Sequence, residues 1–318
     1  MNNSTGNFQS FIKSDYVSLV FSLVSIVIVT SGNGLLVVAI VKKKLLHTPT
    51  HILIVIVAAS DFFTGSVGIP VHIVGQYFNK KYCTISFCAT YLSTYISNII
   101  VLMIAVERYV SILHPFSYER FVSVKKAAYV ALGACLIPVF HLIYIPIFYT
   151  SLSGIAIWEN TDGMQCLVTE VCPKIFCRIF FIETILIGTF IIVIYMKILV
   201  VVRRQLKAIA TLEISCAETG TQVTQEQKAN KKALQKTLFL GFLAFFLILS
   251  WLPYTIVAIL DYEKVTIPGT VWYIVLLIAF SNPVVNPILY GIHQRVYLDA
   301  VKGLCRRNSP ENQDIGLS

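Results

Sequence analysis

The ten residues SNPVVNPILY, 281–290, close the last apolar run of the chain and carry a contradiction. Two prolines, Pro283 and Pro287, and two asparagines, Asn282 and Asn286, stand inside a segment with the length and apolarity of a helix. A proline inside a helix removes a backbone hydrogen bond and presses its ring on the preceding turn, at about 3 kcal/mol in water. An asparagine turned toward an apolar surround leaves its amide unsatisfied. A helix here therefore requires neighbours that repair it.

The chain of 318 residues is 56% hydrophobic and 13% charged, and its mean hydropathy is +0.76. Soluble domains carry about 25% charged residues, so this composition belongs in a bilayer. A crossing takes about 20 apolar residues, and seven runs reach that length: 16–41, 49–75, 83–110, 127–149, 174–202, 232–260 and 269–291. The runs are too long for barrel strands and do not alternate, which predicts an all-α membrane protein, a seven-transmembrane helix bundle. Residues 1–15 read as an extracellular N-terminus, 16–291 as the membrane domain, and 292–318 as a cytoplasmic amphipathic eighth helix and tail.

With the N-terminus outside, nineteen lysines and arginines fall on the cytoplasmic side and six on the other, the asymmetry of the positive-inside rule. The net charge of +9 is thereby explained by anionic lipid and gives no reason to propose nucleic acid. Residues 1–14 are polar and show no cleavable signal, so the first helix is expected to direct insertion. Overlapping sequons at Asn2 and Asn3 agree with an outer N-terminus. Cys83, Cys166 and Cys172 fall at the outer ends of helices, where a disulfide persists. Cys88 and Cys177 read as inert apolar side chains. The loop between the fifth and sixth helices, rich in Thr, Gln and Glu, reads as flexible.

No internal repeat is visible, which counts against the alternative class of an ion-coupled transporter or channel. No metal-ligand spacing, nucleophile constellation or phosphate-cradling loop points to an enzyme. Polar residues at unusual depth remain: Asn33 in SGNGLLVV, Asp61 in AASDFF, Glu107-Arg108-Tyr109, Trp251-Leu252-Pro253, and the opening stretch. Such groups inside spans default to function.

These five motifs, in order on separate helices, resemble those of the rhodopsin-like G-protein-coupled receptors, over roughly residues 16–305. The chain departs from that family in lacking a tryptophan in the core of its fourth helix, a proline in its fifth, and an aromatic at Leu247. The resemblance implies a plasma-membrane receptor with an extracellular small-molecule ligand and a heterotrimeric G protein as partner. It implies that Asp61, Ser97, Asn282 and Asn286 surround a wet pocket able to hold a sodium ion, the only cofactor-like species expected. Pro283 stands where relatives carry a small hydroxyl. Trp251, Pro253, Asn286 and Pro287 take the role of switch. Arg108 pairs with Glu107 at rest and turns on activation toward Tyr195, Tyr290 and the G protein, with Tyr109 completing the triplet. The segment KANKKALQKT lacks the acid that holds this arginine in relatives, with Ala233 near that place, which implies activity without agonist. Cys83 is expected to pair with Cys166, with Cys172 as the rival. Cys305, after the amphipathic helix, is a candidate for palmitoylation by its position, with a plain unmodified cysteine as the alternative.

The ligand pocket of the family maps onto Thr90, Tyr91, Thr94, Glu183, Trp251, Phe280 and His72, with Gln76 and Tyr95 beside them. Thr90, eighteen residues before Arg108, replaces the aspartate of amine receptors. An amine ligand then needs another counter-ion, and Glu183 is the acid available, with His141 as its structural partner otherwise. Phe280 stands where a retinal-binding lysine would, which excludes an opsin. RRQLK and Cys166-Leu167 are similar to adenosine receptors, but Ala258, Val168 and Phe280 replace the residues that hold the purine there.

Overall fold

Helix α10 (Gly269–His293) runs unbroken through both Pro283 and Pro287. The carbonyl that Pro287 deprives of its N–H partner is that of Pro283, four residues earlier. Asn33 of helix α1 (Asn3–Lys42) supplies the replacement: its Nδ2 donates to the Pro283 carbonyl at 3.1 Å and to the Val29 carbonyl of its own helix at 3.0 Å. The two helices approach this closely because Gly32 has no side chain. A Cβ at Gly32 would lie 2.8 Å from Cβ and Cγ of Pro287.

The computed structural model describes residues 3–42, 48–78, 81–153, 166, 168–172, 174–219, 224–293 and 302. Among them every regular element is helical. After α1 come α2 (Pro49–Phe63), a π-turn (Thr64–Gly68) and α3 (Ile69–Tyr77), which together form the second span. Then follow α4 (Lys81–Leu113), the short α5 (Pro115–Phe121), α6 (Val124–Ser153), α7 (Val168–Val171), α8 (Lys174–Thr219) and α9 (Gln225–Tyr262). Seven of the helical segments are long and apolar enough to cross a membrane.

The central helix is α4, which packs against α2, α3, α6, α8 and α9. Around its Arg108 end, Ile54, Ile100, Ile104, Leu243 and Tyr290 form one apolar core. Around its other end, an aromatic core gathers Tyr91, Phe176, Phe180, Tyr262 and Trp272. Helix α6 packs only at the rim and leaves Tyr129, Leu136 and Phe140 outward, as a lipid-facing helix does.

The first span starts at Tyr16 as expected, on a helix that reaches back to Asn3. One expectation from sequence needs correction. The loop between the fifth and sixth spans is largely helical, because α8 continues to Thr219 and α9 starts at Gln225. Thr224 closes a capping box with Gln227, its hydroxyl accepting from the Gln227 N–H at 3.3 Å while Gln227 Oε1 accepts from the Thr224 N–H at 3.1 Å. Lys231 bonds Glu213 at 2.7 Å and ties the two extensions together. The eighth helix and Cys305 lie outside the described residues, apart from helical Lys302, as do Asn2 and the side chain of Asn3.

Overpacking a tight contact costs about 1–3 kcal/mol. Gly32→Ala is expected to lower the melting temperature of the detergent-solubilised protein by several degrees, measured by thiol-probe unfolding. Gly133→Ala, where a Cβ meets nothing within 4 Å, is the matched control and is expected to leave it unchanged.

Candidate functional site

Three polar sites follow one another along the bundle. The middle one lies where α2 opens into its π-turn, whose wider winding carries the Ile69 N–H to the Thr64 carbonyl just ahead of Pro70. Here Asn286 Nδ2 donates to Asp61 Oδ2 at 2.8 Å, joining α10 to α2. Ser97 of α4 donates to Asp61 Oδ1 at 3.5 Å and shares a hydrogen bond with Ser60 at 2.7 Å. Thr64 donates to Ser93 at 2.7 Å. Above Asp61, a narrow cavity is lined by Thr90, Thr94, Trp251, Phe280 and Asn282, with room for about one water-sized guest. Asn282 Oδ1 is buried there without a hydrogen-bond partner. This set of carboxylate, hydroxyl and amide oxygens fits a hard monovalent cation.

The second site caps α4 at the Arg108 end. Arg108 donates to both carboxylate oxygens of Glu107, at 2.6 Å from Nε and 2.5 Å from Nη2. The same Nη2 donates to the Thr50 hydroxyl at 2.5 Å, and Thr50 donates to Glu107 Oε2 at 3.1 Å. Tyr118 of α5 donates to Glu107 Oε1 at 2.6 Å. Burial first, and then this bond, hold the Tyr118 hydroxyl above the ordinary phenol range, so it stays a donor. In place of the missing acid, α9 offers Lys236, whose Nζ lies 3.2 Å from His51 Nε2, while His51 Nδ1 lies 2.8 Å from the Thr48 hydroxyl. With Nδ1 protonated toward Thr48, Nε2 accepts from the lysine, and α9 is held to α2. The Tyr195 ring lies on Gly241, where a Cβ would meet it at 2.9 Å, and its hydroxyl is buried without a partner. Tyr290 packs edge-on to Phe239, and Tyr109 joins the apolar cluster of Ile198, Val202 and Leu234.

The third site is the disulfide end. Cys83 pairs with Cys166, Cα to Cα 5.3 Å, over Gly75, which has no room for a side chain. Cys172 does not compete for Cys83. It pairs with Cys177, which corrects the reading of Cys177 as inert. The Tyr262 hydroxyl donates to the carbonyls of Val168 and Cys172, both at 3.1 Å, and Lys174 Nζ donates to the Tyr262 carbonyl at 2.8 Å. Arg178 and Lys174 clasp Glu263, and their hydrogen bonds hold its carboxyl below the ordinary range.

The residues expected to contact ligand divide between two places. Thr90, Thr94, Trp251 and Phe280 line the cavity over Asp61, with His72 edge-on to Phe280 at 6.3 Å. Tyr91 and Glu183 lie toward α6 and α8. There Tyr91 packs on Phe176 and Phe180 at 4.9 and 5.0 Å, and Glu183 Oε2 lies 3.6 Å from His141 Nδ1.

A family model described as 7 transmembrane receptor (rhodopsin family) matches residues 32–290. The chain belongs to the rhodopsin family of seven-transmembrane receptors. The receptor is similar to trace amine-associated receptor 6 of Pan troglodytes, 26% identical over 289 residues, 87% of this chain and 81% of that one. It is 28% identical over 292 residues to trace amine-associated receptor 8c of Rattus norvegicus, covering 87% and 82% of the two chains. Trace amine-associated receptor 9 of Homo sapiens is likewise 28% identical over 292 residues, covering 87% and 80%.

Sequence reasoning passed over Thr50, His51, Tyr118 and Lys236, which complete the Arg108 site. The Thr-Pro pair at 48 and 49 was the available signal, since Thr48 caps α2 and sets the register that presents Thr50 and His51. A hydrogen bond to a charged group contributes about 1.5–3 kcal/mol. Tyr118→Phe is therefore expected to lower receptor melting temperature by several degrees and to raise agonist-independent nucleotide exchange on a reconstituted G protein; wild-type values in both would contradict the role given to Tyr118.

Proposed function

We propose that the receptor lies in the plasma membrane with its disulfide end outward, binds a small extracellular amine through Glu183, and engages a heterotrimeric G protein at its Arg108 end. One observation carries the ligand assignment. Glu183 Oε2 is buried with no hydrogen-bond partner, close to aromatic side chains of α4. An ammonium brings three donors and a full charge to such an oxygen, and the faces of Tyr91 and Phe180 favour a cation beside them. Thr90 offers no charge at the place where amine receptors carry aspartate. The relatives named as trace amine-associated receptors agree with this ligand class.

Signalling in this reading begins when the amine draws α8 and α4 together at Glu183. Trp251 lines the Asp61 cavity two residues before Pro253, where α9 bends most cheaply. Sodium would be held by Asp61, Ser97 and Asn282, supplying a positive charge that keeps α2, α4 and α10 together; these residues also keep the asparagines out of lipid. When α9 swings, Lys236 leaves His51, and Arg108 exchanges Glu107 for Tyr195 and Tyr290. The unpartnered Tyr195 hydroxyl is a ready acceptor. Glycosylation at Asn2 and Asn3 and palmitoylation at Cys305 belong to the same proposal.

Glu183→Gln keeps the shape and removes the charge. Amine potency in a nucleotide-exchange assay is expected to fall by at least about tenfold, whereas Thr90→Ala leaves it within about threefold. Equal potency of wild type and Glu183→Gln would end the amine reading. Asp61→Asn is expected to abolish any effect of sodium on agonist affinity, and a sodium effect that survives it would place the ion elsewhere.

A further inference from the structure

His141 of α6 stands between the two sides of the Glu183 site. Its Nδ1 lies 3.2 Å from the Tyr91 hydroxyl of α4 and 3.6 Å from Glu183 Oε2 of α8. Its ring is edge-on to Tyr95 at 5.5 Å. One nitrogen holds one proton or one lone pair, so it hydrogen-bonds a single partner at a time. In this structure the shorter contact is with Tyr91, and Glu183 Oε2 is left without a hydrogen bond. The side chains are 16% exposed for His141 and 30% for Glu183, so the pair is not sealed and can be parted from outside the core.

We propose that His141 is an internal competitor of the ligand: in the empty receptor its Nδ1 is shared between Tyr91, the shorter contact here, and Glu183, and an arriving ammonium takes the Glu183 side and confines it to Tyr91. The inference rests on the amine reading and adds a residue that sets amine affinity. Two features support an exchange over a fixed pair. Tyr91 already stands within hydrogen-bond distance of the nitrogen, so the displaced imidazole loses no partner. The distance to Glu183 is that of an ion pair without a hydrogen bond, so the arriving ammonium, at about 2.7–2.9 Å, makes the stronger contact. A residue that merely packed the α4–α6 seam would have no reason to share one nitrogen between a tyrosine and the acid.

The test uses the full-length receptor with 2-phenylethylamine and n-butylamine as probes, in wild type, His141→Phe, Glu183→Gln and the double variant. Phenylalanine keeps the ring against Tyr95 and deletes the donor. The empty His141→Phe receptor is expected to melt at lower temperature while amine potency rises about tenfold, and the gain is expected to vanish in the Glu183→Gln background. Should His141→Phe fail to reach the surface, His141→Leu is read in the same way. Unchanged or reduced potency, or an equal gain with Glu183 already replaced, overturns the inference while a Glu183-dependent amine response leaves the amine reading standing. No response to either amine in any variant overturns both.

Discussion

The bond from Asn33 Nδ2 to the carbonyl of Pro283 is the interaction on which the bundle depends. Pro287 leaves that carbonyl with no donor in its own helix, and in a bilayer no water replaces it. An unsatisfied buried group costs about 1–3 kcal/mol in a soluble protein, and the bond from Asn33 removes that cost. Because α1 meets the need, α10 stays helical through both prolines. Gly32, one residue away, has its own Cβ position filled by the Pro287 ring, so repair and close approach come from the same turn of α1. Asn286, one residue before Pro287, is thereby aimed at Asp61, and α2, α4 and α10 meet around one carboxylate.

From this centre the two ends of the receptor differ in kind. Toward Arg108 the contacts are short, charged and many: the Glu107 carboxylate receives two bonds from Arg108, one from Thr50 and one from Tyr118. Helix α9 stays outside that cluster and is attached to α2 through Lys236 and His51 instead. A neutral imidazole holding an ammonium is a weaker tie than a carboxylate holding a guanidinium, so α9 is the element free to move. Toward the disulfides the packing is aromatic, and Glu183 Oε2 and Thr184 Oγ1 are buried there without a hydrogen-bond partner. The resting structure thus leaves unsatisfied atoms where a ligand and a moved helix would each supply partners.

The fold was legible in the sequence because membrane spans announce themselves by length and apolarity, and Asp61, Asn286 and Arg108 stand out against that background. Pairings across helices were less legible. Asn33 stood out in the sequence only as a polar residue at unusual depth, and its partner, the Pro283 carbonyl, is a backbone group that no side-chain inventory reveals. Thr50, His51 and Lys236 look like ordinary residues of a membrane edge, and only the packing of α2 against α4 and α9 gives them roles. Cys177 reads as apolar until α7 brings Cys172 beside it. The polar composition of 203–231 suggested a loop, although Thr224 and Gln227 carried the spacing of a capping box.

A double-mutant cycle on Asn33 and Pro287 tests the central claim most directly, with thermal unfolding of the purified receptor as readout. Asn33→Ala is predicted to cost several degrees in the parent and almost nothing once Pro287→Ala has restored the N–H that the Pro283 carbonyl lacks. An equal cost in both backgrounds would show that Asn33 stabilises the receptor by other means, and the account of the seventh helix would fail.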